Sequence, residues 1–310
     1  MDRVSRIYEE AWWFDSVSPK NWDVLTIEDD NNQTILRLPY VIKKDRLGFK
    51  TLTKPPFSQT QGPCFNIKQG GGYKDLVFQE NIFTQLIKKL PKCDRVDLYF
   101  DPSIKNWLPF YWHGFSQTTR YTYILNGLGN LDKIYKGFST RTKRAIKKAE
   151  KSSVQIEESN DIEILLKVLK ETYGRQNISQ SDTDNILRNL YEAGKARGCM
   201  TLLVAKNKEG DFCAASLFAR DSKTSYYLAG GAFTRYRELQ AQSLIMWEGI
   251  KHASNYTEQF DFEGSMIRGV ENFFRGFGAI QVPYFHISKD VSKKYKIFLC
   301  LKKIIKAIVK

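Results

Sequence analysis

Asp261 and Glu263 are the side chains in this sequence whose type and spacing most readily do chemistry. They alternate with Phe260 and Phe262, so a strand here sets both carboxylates on one face and both rings on the other. A carboxylate on the inner end of such a strand can accept a proton from an amine or orient it for attack. The same pair can instead bond to backbone amides, or to Arg268 and Arg275, and hold the following loop. Tyr226 and Tyr227 offer phenols that could protonate a leaving group, although strand tyrosines are commonly packing residues. His113, His252 and His286 have neither metal-ligand spacing nor a partner motif, and no Gly-x-Ser-x-Gly elbow or Cys–His pairing occurs. Covalent catalysis is therefore not indicated.

These residues need a scaffold, and its plan is written twice. Residues 259–263 read as a buried strand, followed by a polar loop, a short aromatic-faced helix ending at Gly276-Phe277, and a strand over 281–287. A weaker copy runs from Leu98-Tyr-Phe-Asp-Pro-Ser103 through Trp107 to Gly114-Phe115, then a strand to Leu125. Superposing the Gly-Phe pairs gives an offset of 162, at which Phe100 meets Phe262, Asp101 meets Glu263, Ser103 meets Ser265 and Trp112 meets Phe274. A repeat of this length implies two tandem domains of one fold. The expected division is 1–125, 126–290 and a basic tail, 291–310.

In the first half, the patterning predicts a helix over 4–14, strands over 22–28, 34–43 and 49–54, and an amphipathic helix over 75–90. In the second, helices over 131–151, 162–173 and 184–198 precede strands over 200–206, 212–220 and 224–230. A helix over 242–254 then leads to the strand at 259, and this crossover requires the two flanking strands to lie parallel.

That order is similar to the GNAT acyltransferase fold, which implies a mixed, mostly antiparallel sheet with flanking helices and a splayed parallel pair that receives an acyl-CoA arm. Gly230 and Gly231 permit close backbone approach, and Phe233, Arg235, Arg237, Gln240 and Gln242 follow in the loop before a helix N-terminus suited to phosphates. The usual Arg/Gln-x-x-Gly-x-Gly/Ala phosphate loop is absent. Further segments resemble the Fem family of double-GNAT, amide-forming enzymes: Thr140-Arg-Thr-Lys-Arg-Ala-Ile-Lys-Lys-Ala-Glu150, Leu239 to Ile250, Phe260-Asp-Phe-Glu-Gly264, and the Pro-rich, Gly-Pro-ending loop 55–63. The resemblance implies transfer of an acyl group, from acetyl-CoA or another acyl-CoA, to an amino group of a cell-envelope or surface-glycan precursor. It equally admits an aminoacyl-tRNA donor and a peptidoglycan precursor as acceptor. A non-catalytic module that has kept the fold is a third reading.

The acceptor candidates are Lys54 at the mouth of the Pro-rich loop, Ser58, Gln59 and Gln61 within it, Arg268, and Arg141 and Arg144 on a basic helical stripe. That stripe is alternatively a solvated face. A net charge of +14 and a pI near 9.4 favour anionic partners such as nucleotides, tRNA or an acidic membrane. Five scattered cysteines without a Cys-x-x-Cys pair fit a reducing compartment and argue against structural zinc. With no export segment at the start and no apolar run of about 18 residues, a cytoplasmic protein is expected. The tail sets Ile297, Phe298, Leu301, Ile304, Ile305 and Ile308 on one helical side among lysines, for contact with a membrane or cover for the first sheet.

Overall fold

The computed structural model describes residues 6–67, 70–175 and 183–308, and the start of the helix expected over 4–14 lies outside them. The chain forms two compact units. One is Tyr8–Arg120 with the segment from Pro283 onward, and the other is Tyr121–Val282 with Arg6 and Ile7. The expected boundary at 290 therefore moves. Strand pairing decides it, because His286 to Asp290 pair with Tyr99 to Arg95 of the first unit.

The first unit holds β1 (Trp22–Glu28), β2 (Thr34–Lys44), β3 (Lys50–Thr53), β4 (Cys64–Phe65) and β5 (Arg95–Tyr99). Their order is β1-β2-β3-β5, with β4 paired to β2. The β3–β5 pair is parallel, and the helix Tyr73–Lys89 supplies the crossover. This helix buries Ile82, Phe83 and Leu86, and the Phe83 ring lies 5.4 Å from both Phe65 and Phe110.

Most of β6 (Ser116–Asn126) belongs to the second unit, with β7 (Gln155–Glu158), β8 (Met200–Lys206), β9 (Phe212–Arg220), β10 (Thr224–Ala232) and β11 (Gln259–Asp261). The sheet runs β6-β11-β10-β9-β8-β7, antiparallel except for β10–β11. The last strand, β12 (Ile280–Asp290), begins in this unit and ends in the first. Helix Ala241–Ala253 is the crossover, and it buries Leu244, Ile245, Met246 and Ile250 against the sheet. Each such side chain contributes roughly 1.5–3 kcal/mol on burial. Helix Thr140–Lys151 starts at Ser139, whose hydroxyl accepts from the Thr142 N–H at 3.1 Å, and buries Thr142, Ile146 and Ala149 as one stripe.

Candidate active site

β10 and β11 pair at three positions, Thr224 with Gln259, Ser225 with Phe260 and Tyr226 with Asp261. Then they part. β11 ends at Asp261, where the chain turns through two successive left-handed residues, Glu263 at φ 59° and Gly264 at φ 63°. Gly264 is required here, because a Cβ would strike the Tyr121 carbonyl. The Asp261 carboxylate stabilises the turn by accepting from the Glu263 N–H at 2.8 Å. Glu263 thus does not continue the strand, and the expected shared face of Asp261 and Glu263 does not form.

β10 runs on to Ala232 with only β9 as its ladder, and the register slips between Tyr227 and Ala229, which makes Leu228 a bulge. Where β11 has turned away, a cleft of about 890 Å³ opens along Tyr227–Ala232. Its far wall is helix Arg268–Arg275, and its ends are the first turn of helix Ala241–Ala253 and residues of helix Thr140–Lys151. Gln240, at φ 57°, swings the chain so that the first amides of helix Ala241–Ala253 border the cleft. That end carries the positive pole of the helix, and Arg237 and Arg141 border the same space, which suits an anionic ligand.

The cleft wall carries a polar network. Gln242 Nε2 donates to Ser216 Oγ at 3.1 Å and to Tyr227 Oη at 3.3 Å, while Gln242 Oε1 is buried without a partner among the described residues. A phenol that accepts such a bond becomes a stronger donor through its own proton. Gly230 makes room for the network, since a Cβ there would lie 2.6 Å from Ser216 Oγ and 2.8 Å from Tyr227 Oη. Tyr226 is different. It is fully buried and donates to Asp221 Oδ2 at 2.6 Å, and burial together with that carboxylate pushes its phenol well above the ordinary value.

Of the expected donor residues, Gly230, Gly231, Arg237, Gln240 and Gln242 border the cleft, as does Tyr227. Phe233 and Arg235 do not. The Arg235 guanidinium lies over the Tyr236 ring at 4.7 Å and the Phe233 ring at 6.0 Å, within the loop itself. Tyr236 donates to Asp211 Oδ2 at 2.6 Å, which holds that carboxyl below its usual range, and the Thr234 N–H donates to Glu171 at 2.7 Å. These bonds pin the loop.

Among the expected acceptor residues only Arg141 borders the cleft, while Arg144 and Arg268 are exposed and are not part of its lining. Ser58, Gln59 and Gln61 are buried in the first unit. Ser58 Oγ accepts from Trp13 Nε1 at 2.9 Å, Lys54 Nζ donates to the Ser58 carbonyl and sits over the Tyr99 ring, and the Gln61 N–H donates to the Tyr99 carbonyl at 3.0 Å. The side-chain amides of Gln59 and Gln61 are buried with no hydrogen-bond partner among the described residues.

Asp261 is fully buried. It accepts from Thr122 Oγ1 and the Glu263 N–H, and Arg6 lies 3.8 Å away. Its carboxylate therefore holds the turn, and Asp261→Asn is expected to lower stability by about 1–3 kcal/mol. Thermal melts of this variant beside Glu263→Gln check the assignment, because the larger loss is expected at the fully buried carboxylate. Sequence reading missed Ser216 of the polar network and Thr142, which borders the cleft. The signal for Ser216 was a single hydroxyl in the apolar strand Phe212–Arg220, and Thr142 lay on the helix face opposite the basic stripe.

Residues 136–275 match the family model for the acetyltransferase (GNAT) domain. This segment is a GNAT acyltransferase domain. It contains the splayed strands, the pinned loop and every cleft-lining residue but Gly276. No curated protein matches the sequence. FemX is similar in structure, with a TM-score of 0.68 at 14% identity over 92% of each chain. So is the C-terminal domain of a putative lysylphosphatidylglycerol synthetase from Agrobacterium fabrum, with a TM-score of 0.54 at 11% identity, covering 98% of this chain and 93% of that one. A tandem GNAT protein from the clavulanic acid biosynthesis pathway matches with a TM-score of 0.52 at 7% identity, covering 90% and 86%. The GNAT domain thus sits in a tandem, Fem-like fold. Among the described residues, no group of three or more His, Cys, Asp or Glu could hold a metal ion, and no helix is long and apolar enough to cross a membrane.

Proposed function

We propose that the protein transfers an acyl group from acyl-CoA to an amino group of a cell-envelope or surface-glycan precursor, without a covalent enzyme intermediate. The parting of β10 from β11 beside a cleft bordered by Arg237 and a helix N-terminus is the observation that carries this reading. The edge of β10 from Tyr227 to Ala232 takes the amide-bearing arm of the donor as an added strand. Arg237, Gln240 and the first amides of helix Ala241–Ala253 take its phosphates. The amine nitrogen attacks the thioester carbon, the C–S bond breaks, and Tyr227 gives its proton to the departing sulfur. Backbone N–H groups at the Leu228 bulge receive the oxyanion.

Glu263 directly precedes Gly264 and Ser265 of the cleft wall, and we assign it the proton released by the amine. Glu263→Gln should then lower turnover by about 100-fold. Arg141, at the same cleft, meets the acceptor's negative groups. The direct test is release of CoA thiol from acetyl-CoA with amino-sugar nucleotides as acceptors. Acetyl-CoA at about 100 times its Kd should also stabilise the protein by about 2.7 kcal/mol. A melting curve unmoved by every acyl-CoA tried would remove the donor assignment.

A net charge of +14 favours aminoacyl-tRNA as a second donor reading. A salt-sensitive tRNA complex, combined with no thermal response to acyl-CoA, would decide for it.

A further inference from the structure

We infer that the helix Lys293–Ile308 is a foot by which the protein lies on an anionic lipid surface. The inference goes beyond acyl transfer and does not depend on it. The base of the helix is fastened to the first unit. The N–H groups of Val291 and Ser292 donate to the Asp94 carbonyl, Ser292 Oγ caps the Tyr295 N–H at 3.1 Å, and the Phe49 ring lies 5.1 Å from Tyr295 and 5.2 Å from Phe298. Past Phe298 the helix makes little use of the body. Ile297, Leu301, Ile304 and Ile305 are 61%, 54%, 50% and 60% exposed.

Their spacing of three and four residues gathers these four side chains on one helical face. The sixteen residues of the helix include six lysines and no acidic residue. Lys296 and Lys303 flank the apolar face on one side and Lys302 on the other, and Lys293 and Lys294 close its N-terminal end, all exposed. An apolar stripe bordered by cations matches the boundary between acyl chains and anionic headgroups. A second copy of the helix is a poor partner, because pairing apolar faces would crowd two sets of uncompensated lysines. The helix is too short and too charged to cross the bilayer, so it lies in the surface plane.

Sedimentation of the full chain with vesicles of phosphatidylcholine alone, or of phosphatidylcholine mixed with phosphatidylglycerol, tests this. Binding is expected on the mixed vesicles and should weaken with added salt. The paired variants Leu301→Glu with Ile305→Glu, and Lys302→Glu with Lys303→Glu, should each weaken it about tenfold or more. Both should keep the wild-type melting curve, since the altered side chains are exposed. Equal sedimentation of wild type and both variants would overturn the inference. So would a concentration-dependent dimer abolished by the Leu301/Ile305 variant, which would assign the face to a second copy.

Discussion

Gly230→Ala is expected to reduce kcat/KM for acyl transfer by about 100-fold or more, although it adds a single methyl group. That methyl would lie 2.6 Å from Ser216 Oγ, 2.7 Å from the Ala215 carbonyl and 2.8 Å from Tyr227 Oη. The Ala215 contact is with backbone of the neighbouring strand, so the strain cannot be relieved by turning one flexible side chain. Overpacking of this kind costs about 1–3 kcal/mol, and here the displaced groups are Tyr227 and the hydroxyl that Gln242 holds. Gly129→Ala is the matched control, since nothing lies within 4 Å of a Cβ at Gly129. CoA-release kinetics and thermal melts of both variants check the expectation. Wild-type turnover in Gly230→Ala would mean that the Tyr227–Ser216–Gln242 network takes no part in transfer.

The second large effect is expected from Tyr227→Phe, which removes the phenolic proton but keeps the ring packed 5.7 Å from Phe274. Turnover should fall about 100- to 10,000-fold, with the KM for acyl-CoA nearly constant, because the lost proton matters as sulfur departs and not during binding. Gln242→Ala should give part of the same loss. Adding it to Tyr227→Phe should cost less than the product of the two single effects, since both act through one hydrogen bond. Acyl donors with better leaving groups should restore much of the Tyr227→Phe deficit. A uniform loss across donors would assign Tyr227 to positioning.

The two halves were legible through their phenylalanines. Phe100 and Phe262 are both fully buried, as are Phe115 and Phe277 within a few per cent, as the repeat requires. The polar partners did not follow the same offset. Asp101 accepts from the Ser103 N–H and Asp261 from the Glu263 N–H, both at 2.8 Å, so the turn-holding carboxylates are Asp101 and Asp261. Trp112 is exposed, whereas Phe274 is buried. The short helix Leu108–Trp112 buries Phe110 in its place. Strand β7, Gln155–Glu158, escaped notice because it lies at the edge of its sheet with mostly polar, exposed side chains.

Local pattern determined the elements, the parallel crossover between β10 and β11, and the glycines at the cleft. Apolar periodicity and chain connectivity act over a few residues and leave their mark in the order of side chains. Only the tertiary structure decided which polar groups face the cleft. Asp261 went to the interior because Thr122, distant in sequence, and the Glu263 amide satisfy its oxygens there. Glu263 left the strand because Gly264 presses against the Tyr121 carbonyl in a left-handed turn. Ser216 joined Tyr227 and Gln242 because strand register and a helix start bring three separate segments together. Such meetings depend on contacts between remote segments, where one residue's shift in register reverses which side chain is presented.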